Sequence, residues 1–306
     1  MHFSPELIHK DIPLRHLVTF KLGGNADYFY SADSVDALCE AVTYARQQKM
    51  PFFILGGGSN LVVSDKGIEG LVIHNQCEDI CTIDKAKKQI KISSGFELAH
   101  LVSMAQQEGF AGAESFAGIP GSIGGAICGN AGAYGRSVSD ILVSCEVLTP
   151  EGERKFVDKE FLQFDYRMSR IKKEPFVVLS GIFQLQEGNS SEIQAKIDEI
   201  LAQRHSKHPE KGVGCAGSYF KNLPPAEGES RRQAAGMFLE KVGAKQMHVG
   251  GAAVFSKHAN FIINTGTATA EDVKQLACEL KEKVQRELGI SLEEEVRYVG
   301  RWPKTK

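Results

Sequence analysis

The sequence predicts an α+β protein of three consecutive folding units, and three observations carry that reading. Residues 27–73 alternate strand, helix and strand patterns around a glycine turn. Residues 79–188 read mainly as strands, interrupted by a glycine- and alanine-rich stretch from Ala111 to Gly135. The remainder carries two long helical patterns, one from Ser190 and one after Thr269. At 306 residues the chain is long enough for each unit to bury its own core. The expected units are residues 1–78, 79–188 and 189–306.

Taken in order, Asp27-Tyr28-Phe29-Tyr30 reads as a short strand. Ser34 is an N-cap candidate, because Val35, Leu38, Ala41, Val42 and Ala45 then recur at helical spacing to about Gln48. Pro51 closes that helix. Phe52-Phe53-Ile54-Leu55 is a buried strand feeding Gly56, and Leu71-Val72-Ile73 is the next. Gln89–Ser93 alternates as a strand, and Glu97–Gln107 has helical periodicity. Strands resume at Ile141–Leu148 and Phe176–Leu185, with Thr149-Pro150-Glu151-Gly152 as a turn. From Ser190 a helix runs to about His205, with Ile193, Ile197, Ile200 and Leu201 on one side. Thr269 caps the last helix, Asp272 suits its N-terminal dipole, and Val273, Leu276, Ala277, Leu280 and Val284 line one face. Gly289 supplies its left-handed end, and Val296–Val299 is a closing strand.

Composition removes several function classes. Apolar residues at 42% and charged residues at 24% are ordinary for a soluble globular protein. A formal charge of -2 lacks the basic surplus of a nucleic-acid binder. The start, Met1-His2-Phe3-Ser4-Pro5-Glu6, has neither a basic region nor an apolar run, so no signal peptide is expected. No stretch approaches the roughly 20 apolar residues that span a bilayer. A cytoplasmic protein without membrane or nucleic-acid partners is expected. The seven cysteines, at 39, 77, 81, 128, 145, 215 and 278, lack metal-site spacing and read as reduced, mostly buried thiols. His205 and His208 have no partner pair in register, so no metal is expected.

The chemistry lies in two glycine loops. Gly56-Gly57-Gly58-Ser59-Asn60 directly follows an apolar strand, where bare backbone exposes N–H groups to a ligand's phosphates. By itself this is equally a tight turn. Gly118-Ile119-Pro120-Gly121-Ser122-Ile123-Gly124-Gly125 extends the small-residue path, continued by Asn130-Ala131-Gly132-Ala133-Tyr134-Gly135. Two such loops suit a long, bent cofactor such as a flavin dinucleotide. Neither reads Gly-x-Gly-x-x-Gly at a strand–helix junction, and no Gly-x-x-x-x-Gly-Lys-Ser/Thr occurs. A Rossmann nicotinamide site and a P-loop are therefore not supported.

These loops, together with Thr19–Tyr28, Tyr166-Arg167-Met168-Ser169, Ala216–Asn222, Gly250–Ala253, Lys257–Asn264 and Leu292–Gly300, resemble the UDP-N-acetylenolpyruvoylglucosamine reductases along nearly the whole chain. The resemblance implies two lobes gripping non-covalent FAD in the vanillyl-alcohol-oxidase-like (PCMH-type) fold, plus a C-terminal α/β substrate domain. It implies a monomer that takes NADPH as reductant and UDP-N-acetylglucosamine enolpyruvate as substrate, in peptidoglycan synthesis. In that scheme flavin N5 delivers hydride to C3 and a proton is added at C2. No sizeable insertion follows Arg167, which resembles the shorter subtype without a lid segment.

Hydride addition beside a carboxylate creates an enolate-like anion, which needs positive charge or hydrogen-bond donors and a proton source. By matching position, Arg167 and Glu295 would stabilise the anion and Ser218 would donate the proton. Tyr166, Lys207 and Asn222 match substrate-binding positions. The residues alone leave bland alternatives: Arg167 as a surface ion pair, Ser218 as a turn serine. If 292–300 is a strand, Glu293 and Glu295 share a face, so spacing leaves Glu293 as the rival; the resemblance selects Glu295. The sequence departs from the family at Cys128, where a bulkier residue is usual, and at Leu223-Pro224-Pro225 after Asn222. A rival flavoenzyme, an oxidase with histidine-tethered flavin, is disfavoured because no histidine follows the first loop until His74.

Overall fold

The structure, a computed structural model, describes residues 2–303. Its contacts separate two compact units. Unit 1 takes the chain to Lys10, Tyr28–Gly57 and Gly70–Arg204; unit 2 takes Asp11–Asp27, Gly58–Glu69 and the chain from His205.

Unit 1 holds two cores. In the first, helix α1 (Val35–Gln47) starts at Ser34, whose side chain accepts from the Ala37 amide. Its stripe of Val35, Leu38, Ala41, Val42 and Ala45 is buried against Tyr30, Leu71 and Ile73. The strand Phe52–Leu55 runs parallel to Ile68–Asn75, with Phe52 opposite Leu71. Both belong to a four-stranded sheet that also contains His9–Pro13 and Asn25–Ala32.

The second core lies on an antiparallel sheet of five strands, in the order Arg154–Asp158, Leu142–Leu148, Val177–Gln184, Gln89–Ser93, Cys81–Asp84. Helices α2 (Leu98–Gln107), α3 (Ile123–Gly129), α4 (Lys159–Leu162) and α5 (Ser190–Lys207) accompany it. Ile193, Ile197 and Ile200 of α5 are buried here, so nearly all of that helix counts with unit 1.

One stretch differs from its sequence reading. The glycine-rich segment after Pro120 is not loop throughout, because α3 forms within it. Ser122 caps that helix by accepting from the Gly125 amide, and Asn130 ends it in the left-handed region at φ 44°. Two glycines in the first turn disfavour helix, but burial of Ile123, Ala126 and Ile127 outweighs that local cost.

Unit 2 is built around helices α6 (Ala235–Lys241) and α7 (Ala270–Leu288). They accompany a four-stranded sheet in the order Gly214–Cys215, Ile262–Asn264, Ala252–Val254, His248–Val249. These strands are two or three residues long, too short for alternation to announce them. Thr269 and Asp272 form a reciprocal capping box at the start of α7. The Asp65 carboxylate accepts from the Ala270 amide at 2.9 Å, which satisfies a further end-of-helix donor. The strand Arg297–Val299 pairs in parallel with Leu61–Val63.

All seven cysteines are free, but only Cys77 and Cys145 are fully buried. Cys81 and Cys278 are exposed, so the expectation of mostly buried thiols fails there. Burial pushes the Cys39 thiol up to about 11 and the Cys145 thiol up to about 12. Among the described residues no helix is long and apolar enough to cross a membrane, and no cluster of three His, Cys, Asp or Glu side chains could hold a metal.

Candidate active site

In unit 1 the two glycine loops lie against each other. A Cβ on Gly57 would come within 2.8 Å of the Gly121 Cα, and one on Gly56 within 2.3 Å of the Ser122 hydroxyl. Loop packing therefore already requires these glycines, which sequence reasoning attributed to ligand approach. The loop's offer to a ligand is its amides instead. Among the described residues the Gly57, Gly58 and Asn60 amides donate to no protein acceptor. Glycine faces remain open at Gly129, which a Cβ would leave without a contact within 4 Å, and at Gly125, where only the Ser122 hydroxyl would lie near. Free amides and bare backbone fit a phosphate-bearing cofactor.

Arg167 sits on a tight two-residue turn. The Asp165 and Met168 backbones exchange hydrogen bonds of 3.0 and 3.1 Å, leaving Tyr166 and Arg167 at the tip. Arg167 has φ 56°, a left-handed conformation that costs a non-glycine residue about 1–2 kcal/mol. The surroundings hold it there. The Asn130 side chain donates to the Asp165 carbonyl at 3.0 Å, and the Ser169 hydroxyl donates to the Cys128 carbonyl at 2.7 Å. Lys172 donates to the Arg167 carbonyl at 3.0 Å. The Cys128–Asn130 end of α3 and the Tyr-Arg-Met-Ser motif are thus one assembly, although about 40 residues apart in the chain (separations of 35 and 41 residues for the two bonds). The half-buried Arg167 guanidinium lies 5.4 Å from the Tyr166 ring centroid.

In unit 2 the Ser218 and Glu295 segments meet at a single antiparallel bridge. The Glu295 amide donates to the Tyr219 carbonyl and the Lys221 amide to the Glu293 carbonyl, both at 2.8 Å, around a Phe220–Glu294 bridge. Glu295 is therefore directly opposite Tyr219, the residue after Ser218. Asn60 fixes the same segment from the other side. Its side chain donates to the Glu295 carbonyl at 3.1 Å, and its own carbonyl accepts from the Arg297 amide at 3.0 Å. Ser218 is half-buried, and among the described residues no group hydrogen-bonds its hydroxyl.

The three consecutive glutamates now separate. The Glu293 carboxylate, 73% exposed, pairs with Lys221. Glu294 pairs with Lys281 at 3.5 Å and hydrogen-bonds Tyr298. Glu295 is half-buried beside Tyr219. Next to Ser218 in the chain, the fully buried Tyr219 shares a hydroxyl–hydroxyl bond of 2.7 Å with the half-buried Tyr298. Burial raises the pKa of both phenols, so both are neutral hydrogen-bonding groups at ordinary pH.

Residues 26–157 match the family described as FAD binding domain, and residues 208–299 match the C-terminal domain of UDP-N-acetylenolpyruvoylglucosamine reductase. A curated enzyme of that name from Listeria welshimeri is 40% identical over 288 residues, covering 94% of both chains. One from a Synechococcus strain is 38% identical over 295 residues, covering 96% of this chain and 91% of the relative. The chain belongs to the UDP-N-acetylenolpyruvoylglucosamine reductase family. The crystal structure of the Thermus caldophilus reductase matches at a TM-score of 0.78 and 31% identity, over 95% of this chain and 98% of that one. The α+β class, with an FAD-binding module of the vanillyl-alcohol-oxidase-like type followed by the reductase C-terminal domain, holds.

Against that family, the other expected positions are distributed as follows. Tyr166 shares the turn of Arg167, and its amide donates to the Asp165 carboxylate at 2.6 Å. The Asn222 side chain accepts from the Ala235 amide at the start of α6, at 3.2 Å, while its carbonyl accepts from Arg232. Lys207 is exposed at the end of α5 and acts electrostatically on His258. Ala131 accepts from the Val138 amide, and Gly132 is crowded by the Arg136 carbonyl in a small hairpin. Sequence reasoning missed the Tyr219–Tyr298 pair and the bond from Asn60 to Glu295. Neither has a local pattern, because each joins residues far apart in the chain.

Proposed function

We propose that this chain reduces UDP-N-acetylglucosamine enolpyruvate to UDP-N-acetylmuramate for peptidoglycan synthesis, with FAD as cofactor and NADPH as reductant. One observation carries the reading beyond family membership: a Ser218 hydroxyl with no protein partner lies two residues before the Phe220–Glu294 bridge that sets the half-buried Glu295 opposite Tyr219. That pairing supports a proton donor and a carboxylate working on one substrate.

The chemistry that bound FAD would supply is hydride transfer from NADPH to C3 of the enolpyruvyl ether. The amides of Gly57, Gly58 and Asn60 are suited to hold its phosphates, and Ser59 and the residues Gly118, Ile119, Pro120, Gly121, Ser122, Gly124 and Gly125 also serve the cofactor. Asn130, Ala131 and Gly132 extend that wall. Arg167, on its fixed turn, pairs with the substrate carboxylate and disperses the charge that builds up there. Ser218 passes its hydroxyl proton to C2. A serine is a weak acid and needs a polarised setting, and Glu295 supports the anion or its protonation from the other side. Tyr166, Lys207 and Asn222 bind the nucleotide-sugar. Residues 1–78 and 79–188 are the cofactor lobes, the second also carrying Tyr166 and Arg167, and residues 189–306 are the substrate domain.

The two half-reactions separate the roles. In Ser218→Ala, stopped-flow absorbance should show flavin reduction by NADPH at an unchanged rate. Reoxidation by the enolpyruvyl substrate should slow by about 10²–10⁴-fold. Equal loss in both half-reactions would assign Ser218 to structure or cofactor binding. Absence of substrate-dependent NADPH oxidation in the wild type would refute the activity itself.

A further inference from the structure

Unit 1 contains a cation that no reading above uses. Arg204, in the last turn of α5, lays its side chain across the second glycine loop. A Cβ on Gly118 would come within 2.9 Å of the Arg204 Nε and 3.0 Å of the Leu201 Cδ2, and Gly118 itself has φ 71°. The guanidinium is half-buried and hydrogen-bonds the Tyr134 hydroxyl, at the far end of the same glycine-rich stretch. Among the described residues no carboxylate pairs with it. Burial pulls its pKa below the ordinary arginine value, and the phenol compensates only in part.

A desolvated guanidinium without a counter-charge is unfavourable, and removing such a charge is frequently stabilising. Elsewhere in unit 1, Arg154 pairs with Glu146 at 2.8 Å, Arg170 pairs with Glu174 at 2.8 Å, and Arg46 donates to the Thr149 and Pro175 carbonyls at 2.7 and 3.1 Å. Arg204 instead faces a loop whose Gly121-Ser122 end abuts Gly56-Gly57. A planar, two-pronged donor in that position matches a phosphate oxyanion.

We propose that Arg204 is the cationic partner of the flavin dinucleotide's diphosphate, held in place by Tyr134 across Gly118. The oxidised isoalloxazine is neutral, so the diphosphate is the anionic part of the resting cofactor. The family match to the FAD binding domain ends at residue 157 and does not include Arg204. This inference rests on the cofactor reading above, and wild-type protein that fails to bind FAD would sink that reading first.

The test uses full-length protein stripped of flavin, in wild-type, Arg204→Gln and Arg204→Lys forms. Three quantities are measured: FAD affinity by flavin fluorescence titration, the melting temperature of the flavin-free protein, and the midpoint potential of the bound flavin. Arg204→Gln should weaken FAD binding about 10- to 100-fold, the range of a lost charge-assisted hydrogen bond. Its flavin-free melting temperature should hold or rise, because an uncompensated cation is gone. The midpoint potential should not move, and Arg204→Lys should fall between the two forms in affinity. FAD affinity within twofold of wild type in Arg204→Gln overturns the proposal. With that affinity unchanged, a lower melting temperature makes Arg204 a structural latch, a lower potential makes it a partner of the reduced ring, and a raised KM for NADPH or the UDP-sugar makes it a substrate residue. Should Arg204→Gln fail to fold, the lysine form decides, since wild-type affinity there shows that the guanidinium fork holds no phosphate.

Discussion

Removing single hydroxyls from Tyr219 and Tyr298 tests whether the segment that carries Ser218 is locked by their shared bond. The hydroxyls are 2.7 Å apart, that of Tyr219 in a fully buried residue and that of Tyr298 in a half-buried one, and each substitution to phenylalanine removes one oxygen without opening a ring-sized cavity. Tyr298→Phe leaves the Tyr219 hydroxyl orphaned in a residue with 0% exposure, a loss of about 2 kcal/mol. Tyr219→Phe leaves Tyr298 its second partner, Glu294, so about 1 kcal/mol is expected. In the double variant neither hydroxyl remains, and Glu294 keeps Lys281 at 3.5 Å. That variant should cost no more than about 1 kcal/mol, a coupling near 2 kcal/mol. The chain's one tryptophan, Trp302, stacks edge-on to Tyr298 at 5.2 Å, so its fluorescence reports this part of unit 2 in a urea titration. The midpoints should shift with an unchanged slope. If the double variant loses the sum of the two single losses, the hydroxyls are not coupled and the argument fails.

Two further outcomes follow from the same geometry. Glu293→Gln removes only an exposed ion pair with Lys221, worth about 0–1 kcal/mol, and kcat should stay within about threefold. Glu295→Gln should slow flavin reoxidation about 10²–10⁴-fold; the reverse ranking in steady-state and stopped-flow assays would transfer the role to Glu293. His258 lies against Gly236 and Phe261, and burial holds its pKa below the ordinary imidazole value of 6.5, with Lys207 and Lys245 lowering it and Glu240 raising it. The unfolded chain thus binds more protons below pH 6.5 than the folded one. The stability contributed by neutral His258 is fully present above that pH and is lost as the pH falls toward the lower folded value. His258→Gln should flatten the decline in urea midpoint between pH 7 and pH 5, and an unchanged slope would exclude His258 as its source.

Much of this protein was legible in its residues. The helices α1, α5 and α7 announce themselves, because their periodic apolar positions and the Ser34 and Thr269 caps act within a few residues of one another. Such contacts repeat along the chain, so pattern alone reveals them. The motifs likewise revealed the family.

What the sequence could not decide was what each motif residue is for. Gly56 and Gly57 look like ligand glycines, but the first thing they accommodate is Gly121 and Ser122 of the second loop. Asn60 looks like a loop residue, yet its side chain grips the Glu295 carbonyl across 235 positions of sequence. Three adjacent glutamates are chemically identical as text. Only pairing with the Tyr219–Lys221 segment gives Glu293 to the half-buried Lys221, Glu294 to Tyr298, and Glu295 to the residue beside Ser218. The physical reason is common to all: local propensity acts over one or two turns, whereas burial and counter-charge are set by residues that chain folding brings together.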